Sequence, residues 1–203
     1  MKASAVSGVA ALGLLLSGVS ALAQPGPTFD CSKAEHEVEA LICKDDDLVA
    51  KDRKLAVVYS QAIAAMEKID TGGQEAIREL RTTQRGWIGG RNDCWKAADK
   101  RQCTIDSYDR RTAFLQARYF LLEGSTPVYF SCSDNSQIVA TFIPTDPPSV
   151  RLERGDNLEV GVLSRTGSGS RYDADFGIYF WTKGEEAKVA WPQENEFDCA
   201  VSK

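Results

Sequence analysis

The hydrophobic period of this chain changes once, near Gly124-Ser125-Thr126-Pro127, and that change limits the fold more than any other feature. Upstream, apolar residues recur every three to four positions; downstream, they recur at every second position. The first spacing lays a stripe along an α-helix, and the second puts alternate side chains on one face of a strand. The chain is therefore expected to form two domains, an all-α domain over 28–124 followed by an all-β antiparallel domain over 127–203.

Four helices are expected in the first domain. Ser32 and Glu35 have capping-box spacing, and Ala34, Val38, Leu41 and Ile42 share a face of the helix they would begin. Asp45-Asp46-Asp47 would start a second helix, where acidic side chains complement the helix dipole, and its stripe runs through Leu48, Leu55, Val58 or Tyr59, Ala62 and Met66 to a stop at Thr71-Gly72-Gly73. A third carries Ile77, Leu80, Gln84, Trp87 and Ile88 up to an expected break at Gly89-Gly90. The fourth carries Tyr108, Thr112, Leu115, Tyr119 and Leu122. His36, the single histidine, is expected as a surface residue of the first helix.

In the second domain the apolar sets are Val128, Phe130 and Cys132; Ile138, Ala140 and Phe142; Val150 and Leu152; Leu158, Val160 and Val162; Ile178 and Phe180; and Val189 and Trp191. Turn residues separate them, which indicates an antiparallel sheet that is curled or closed.

Residues 1–24 have the form of a cleaved secretory signal. Lys2 is followed by an apolar run, too short and too broken by serine and glycine to read as a spanning helix, and then by Ala21-Leu22-Ala23, an A-x-A cleavage site. No cysteine stands at the cleavage point to carry a lipid, so no membrane anchor is expected after cleavage and the mature protein is read as soluble, periplasmic or secreted. Six cysteines in an exported chain favour disulfides. Cys132 and Cys199 lie near the two ends of the strand domain and would tie its first strand to its last, whereas Cys31, Cys43, Cys94 and Cys103 would staple the helical domain in one of three pairings that spacing does not distinguish.

Several functions are disfavoured by the same residues. There is no C-x-x-C pair and only one histidine, so neither a metal site nor any other cofactor is expected. Oxidised cysteines leave no thiol nucleophile. From Pro127 onward there are 7 basic and 12 acidic residues, an acidic surface that argues against nucleic acid and towards a basic partner.

The stretch 168–189 reads as a hairpin turning at Ala174-Asp175-Phe176-Gly177, with Tyr172 opposite Tyr179 and Ser168 opposite Lys183 at its open end. Gly167 and Gly169 leave Ser168 uncluttered, and Gly184 puts Lys183 on a projecting corner. A serine-lysine hydrolase would need a buried lysine able to lose its proton, so catalysis is not expected. A solvated turn with no further role is the commonest fate of an exposed lysine and serine; a plug, in which an ammonium and a hydroxyl enter the cleft of another protein, also accounts for the projection.

Ser168-Gly169, Tyr172, Trp181-x-Lys183-Gly184-x-x-Ala187 and the bracketing Cys132 and Cys199 resemble the bacterial inhibitors of c-type lysozyme known as MliC and PliC. That resemblance implies an eight-stranded antiparallel barrel, c-type lysozyme as partner, and a lysozyme-binding set of Ser168, Gly169, Tyr172, Lys183 and Gly184 in which the serine and the lysine enter the active site. The turn from Asp173 to Gly177 is longer than in that family. Upstream, Phe29-Asp30-Cys31, Glu39-x-x-Ile42-Cys43, Asp52, Tyr59, Gln84-x-x-Trp87, Arg91-x-x-Cys94, Cys103, Tyr108 and Arg111 resemble the N-terminal domain of LprI-type lysozyme inhibitors. There Asp52, Gln84, Arg91 and Arg111 would serve either an interaction surface or an internal scaffold. The competing reading of the whole is an envelope protein that binds a small ligand or a cell-wall component, with the helices as an interaction module.

Overall fold

A computed structural model describes residues 26–202. The expected signal segment, 1–24, lies outside the described residues. Among those residues no helix is long and apolar enough to cross a membrane.

The chain enters through a 3-10 turn at Cys31–Lys33, capped by the Asp30 carboxylate, which accepts from the Ser32 amide at 3.0 Å and the Ser32 hydroxyl at 2.7 Å. The capping box expected of Ser32 and Glu35 does not form, because Asp30 engages Ser32 first. Helix α1 (Glu37–Ile42) begins at His36 instead, whose Nδ1 accepts the Val38 amide at 3.2 Å. His36 is therefore the N-cap of α1 and half-buried, not a bystander on the surface.

Helix α2 (Asp46–Met66) starts where the acidic run predicts, with Asp45 accepting from the Asp47 and Leu48 amides. Helix α3 (Gly73–Asn92) runs straight through Gly89-Gly90, where a break was expected. Each glycine costs about 1 kcal/mol relative to alanine in a helix interior. The buried anchors Ile77 and Leu80 before the pair and Arg91 after it outweigh that local cost. Asp99 caps helix α4 (Lys100–Arg118) by accepting from the Gln102 amide.

Val38, Ile42, Leu48, Leu55, Leu80, Tyr108 and Leu115 form the helical core. A polar network passes through it. Asp52 accepts from the Thr28 amide and hydroxyl, both at 2.6 Å, and from the Tyr108 hydroxyl at 2.9 Å, and that hydroxyl accepts from Arg91 Nη1 at 2.9 Å. Burial pushes the Tyr108 pKa well up. Arg111 donates to Gln84 Oε1 at 3.0 Å and to Thr83 Oγ1 at 3.2 Å. The four motif residues are thus internally bonded, as the scaffold reading holds. Disulfides Cys31–Cys43 and Cys94–Cys103 settle the pairing that spacing left open.

Eight strands follow: β1 (Val128–Cys132), β2 (Gln137–Ile143), β3 (Ser149–Arg154), β4 (Asn157–Ser164), β5 (Ser170–Asp173), β6 (Tyr179–Lys183), β7 (Glu186–Ala190) and β8 (Phe197–Val201). Each pairs antiparallel with the next and β8 returns to β1, closing a barrel. Cys132 and Cys199 are register partners and form the third disulfide. Their sequence separation is 67, and closing a loop of that length stabilises the fold by about 4 kcal/mol in the chain-entropy model. Phe130, Ile138, Leu152, Phe180, Val189 and Phe197 fill the interior, with Phe130 and Phe180 edge to face at 5.2 Å.

One alternating set does not belong to that interior. On β4 it is Leu163 that packs against the barrel core, while Val160 joins Ala117 of α4 and Ile143 in a separate buried cluster supported by Phe114 and Leu122. The apolar face read as barrel core on this strand is the seat of helix α4. Arg151 Nη1 donates to the Arg118 carbonyl at 3.0 Å with its guanidinium 4.3 Å from the Phe120 ring centre, and Arg110 Nη2 donates to the Asp173 carbonyl at 3.2 Å. The linker is pinned as well: the Ser125 amide donates to the Phe142 carbonyl at 2.8 Å, and the Phe142 amide to Ser125 Oγ at 3.1 Å.

Candidate functional site

Strands β5 and β6 pair as Ser170↔Thr182, Arg171↔Trp181, Tyr172↔Phe180 and Asp173↔Tyr179. The expected pairing of Tyr172 with Tyr179 is off by one residue. The connection is a five-residue loop, 174–178, holding a 3-10 turn at Asp175–Gly177 in which Phe176 (φ 57°) and Gly177 (φ 79°) are both left-handed. That extra residue moves the register, and a one-residue slip exchanges the faces. Phe180 consequently stands beside Tyr172 in the core.

At the open end the pairing begins at Ser170↔Thr182, so Ser168 precedes β5 and does not stand opposite Lys183 as expected; both are exposed and line the same cleft. Gly169 has φ +65°, and a Cβ there would lie 2.5 Å from the Thr182 carbonyl oxygen and 3.4 Å from the Lys183 Cβ. Only glycine allows β5 to enter this close to β6. Trp181 Nε1 donates to the Ser168 carbonyl at 2.9 Å, and Thr166 Oγ1 lies 3.0 Å from the same oxygen. The serine is thus presented by a loop bonded through its backbone, which leaves the hydroxyl itself without a protein partner among the described residues. Lys183 faces Glu186 across the tight β6–β7 turn, in which Gly184 has φ +64°, and it makes no ion pair among the described residues. Nearby, Lys188 and Asp198 pair at 3.2 Å.

Tyr172 is placed differently. It is 8 % exposed, its ring 5.7 Å from Phe142 in the barrel core, and burial raises its pKa. It lies in the barrel core towards the turn end of the hairpin and does not line the cleft that Ser168 and Lys183 share. At the opposite end of the hairpin, Arg171 pairs with Asp173 at 2.7 Å and stacks 4.1 Å from the Tyr179 ring centre. Burial, then the hydrogen bond to Glu196, push the Tyr179 hydroxyl up to about 12. For Asp173 burial acts upward, but hydrogen bonds from Ser164 and Arg171 outweigh it and leave the carboxyl below its ordinary range. Among the described residues no group of His, Cys, Asp or Glu side chains is arranged to hold a metal ion.

Trp181 and Thr166 are the residues whose positioning role the sequence did not reveal. Trp181 stood in the motif, but spacing alone does not show that its indole reaches back to the Ser168 carbonyl. Trp181→Phe keeps the ring and removes a hydrogen bond worth about 0.5 to 1.5 kcal/mol. The barrel is expected to stay folded while amide exchange over 167–170 accelerates relative to wild type, measured by hydrogen–deuterium exchange. Unchanged exchange there would show that the indole does not hold the loop.

Comparison with known proteins covers both domains. The model of the family described as membrane-bound lysozyme-inhibitor of c-type lysozyme, MliC, matches 130–198, and that described as lysozyme inhibitor LprI matches 30–121. Lipoprotein LprI of Mycobacterium tuberculosis (strain H37Rv) and that of Mycobacterium bovis are each 27% identical over 167 residues, covering 81% of this chain and 79% of theirs. An uncharacterized protein of Rhizobium meliloti is 32% identical over 108 residues, 50% of this chain and 72% of its own length. No solved structure matches significantly. Disulfide-stapled helices under the LprI match and a closed eight-stranded barrel under the MliC match lead to one conclusion: the chain belongs to the lysozyme-inhibitor families, with an LprI domain followed by an MliC domain.

Proposed function

We propose that this protein is a stoichiometric, non-catalytic inhibitor of c-type lysozyme, exported to the periplasm or secreted, whose barrel blocks the lysozyme cleft with Lys183 and Ser168. The observation that carries the reading is the pairing of an exposed, unpaired ammonium with a free hydroxyl on a corner bonded through its backbone. C-type lysozymes are retaining glycosidases in which a carboxylic acid and a carboxylate flank the bond to be cut. An ammonium placed between them occupies the position where positive charge develops in the transition state, and a hydroxyl donates to a carboxylate. Neither group reacts. Gly169 and Gly184 shape the corner. The acidic barrel domain also attracts a basic enzyme and speeds encounter.

The test is a turbidity assay of bacterial cell walls with c-type lysozyme and the purified chain lacking 1–24. Clearing is expected to fall in proportion to added protein and to stop near equimolar amounts. Full lytic activity in excess protein would overturn the reading.

A further inference from the structure

The helical domain carries a cleft of about 350 Å³ between the segment at Phe29 and helices α1, α2 and α3, on a different domain from the Ser168–Lys183 corner. Its size falls within the range of small-ligand sites. Three aromatic residues, Phe29, Tyr59 and Trp87, line it, with Glu39, Gln84 and Arg91 among its polar residues; Asp52, also on the wall, is occupied by Thr28 and Tyr108. Among the described residues every buried side-chain polar atom has a hydrogen-bond partner, whereas several accessible groups on the cleft residues are bonded to no protein atom. Among the described residues the Tyr59 hydroxyl and the Trp87 indole N–H have no hydrogen-bond partner. Gln84 uses its oxygen to accept from Arg111 and leaves its NH2 unpaired, while Glu39 uses one oxygen to accept from Asn92 and leaves the other available. Arg91, by contrast, is committed to Tyr108 and Asn92, pairs with Glu39 Oε1 at 3.8 Å and lies 5.5 Å from the Trp87 ring centre, so its charge is engaged within the protein.

The remaining chemistry is mixed. Three donor groups and one acceptor, set among aromatic rings, suit a ligand that is uncharged, both donates and accepts hydrogen bonds, and has apolar C–H faces. A cation would meet the Arg91 guanidinium, with the Asp52 carboxylate already occupied and Glu39 beside Arg91, and an anion would meet Glu39. An aliphatic ligand would leave the polar groups unanswered and desolvated. We propose that this cleft is a second binding site, separate from the lysozyme-directed corner, that takes an uncharged saccharide bearing hydroxyl and acetamido groups. Such a site would tether the inhibitor to the glycan on which a lysozyme acts, and raise the local concentration of the Ser168–Lys183 corner there without any new contact to the enzyme.

The experiment uses the full chain from residue 24 and a soluble N-acetylglucosamine tetramer, with binding followed by calorimetry and by chemical shifts of labelled protein. One-to-one binding is expected, with shifts concentrated on Tyr59, Gln84 and Trp87. Tyr59→Phe, which keeps the ring and removes the hydroxyl, should weaken binding by about five- to tenfold, the worth of one hydrogen bond. Ala56→Trp, on the wall of the same cleft, should abolish binding by filling it. Both variants should inhibit soluble lysozyme as wild type does, which separates this site from the corner on the barrel. Absence of tetramer binding to the wild-type chain would overturn the proposal. Binding that survives Ala56→Trp in a protein of unchanged circular dichroism, or shifts that map to the barrel instead, would overturn it equally.

Discussion

Lys183→Ala is expected to weaken inhibition of c-type lysozyme at least tenfold while leaving the barrel folded. Truncating a charged interface group that meets a buried carboxylate costs about 2 to 5 kcal/mol, much of it because the partner is left unpaired, and about 1.4 kcal/mol is a factor of ten. Lys183 is exposed and bonded to nothing within the described chain, so its removal subtracts little from stability. Ser168→Ala should cost less, because a hydroxyl bonded to a charged group is worth about 1.5 to 3 kcal/mol. Lys183→Arg should restore inhibition only partly, since a planar fork is broader than an ammonium in a narrow cleft. Inhibition constants from lysozyme titrations, with circular dichroism as the control for folding, measure all three.

The largest effect on stability is expected in the other domain, at Asp52. This carboxylate is 7 % exposed and accepts three hydrogen bonds, two from Thr28 and one from Tyr108. Asp52→Ala strips the acceptor from the buried Tyr108 hydroxyl and frees the N-terminal segment from α2. A hydrogen bond to a charged group contributes about 1.5 to 3 kcal/mol, and the three act as a unit, so a loss of about 3 kcal/mol is expected for the helical domain. Denaturant unfolding followed by the fluorescence of Trp87 and Trp95 checks it. A change within about 0.5 kcal/mol, the ordinary scale of surface substitutions, would mean that the network is not holding this domain together.

What the sequence reveals and what it hides follow from the range of each interaction. The switch from a 3.6-residue to a 2-residue period is local, so the helical and strand regions and most elements could be read directly. Asp45 is a cap with its partners two and three residues away, and it acts as expected. Gly89-Gly90 was misread because the local cost of glycine is visible in sequence, whereas the buried anchors on either side are not. The β5–β6 register slipped because Phe176 adopts a left-handed conformation that a bulky side chain rarely takes, and so no turn rule includes it. Val160 alternates correctly as a strand residue, but alternation does not say whether its face meets the barrel interior or helix α4. The four cysteines of the helical domain share this limit: their pairing depends on where α1 and α4 come to rest. At the candidate site, the types Ser, Gly and Lys were legible from turn chemistry. Tyr172 joins them only through the family resemblance, and the pleat turns its side chain into the barrel core.

The central claim is that inhibition resides in the corner formed by Ser168 and Lys183. Its most direct test is titration of one c-type lysozyme with the wild-type chain and with the S168A/K183A double variant, after their circular dichroism and unfolding midpoints have been matched. The account predicts that the wild type blocks lysis near equimolar amounts and that the double variant needs at least a hundredfold more protein, about 2.7 kcal/mol or greater in binding. Equal inhibition by the two proteins would contradict it.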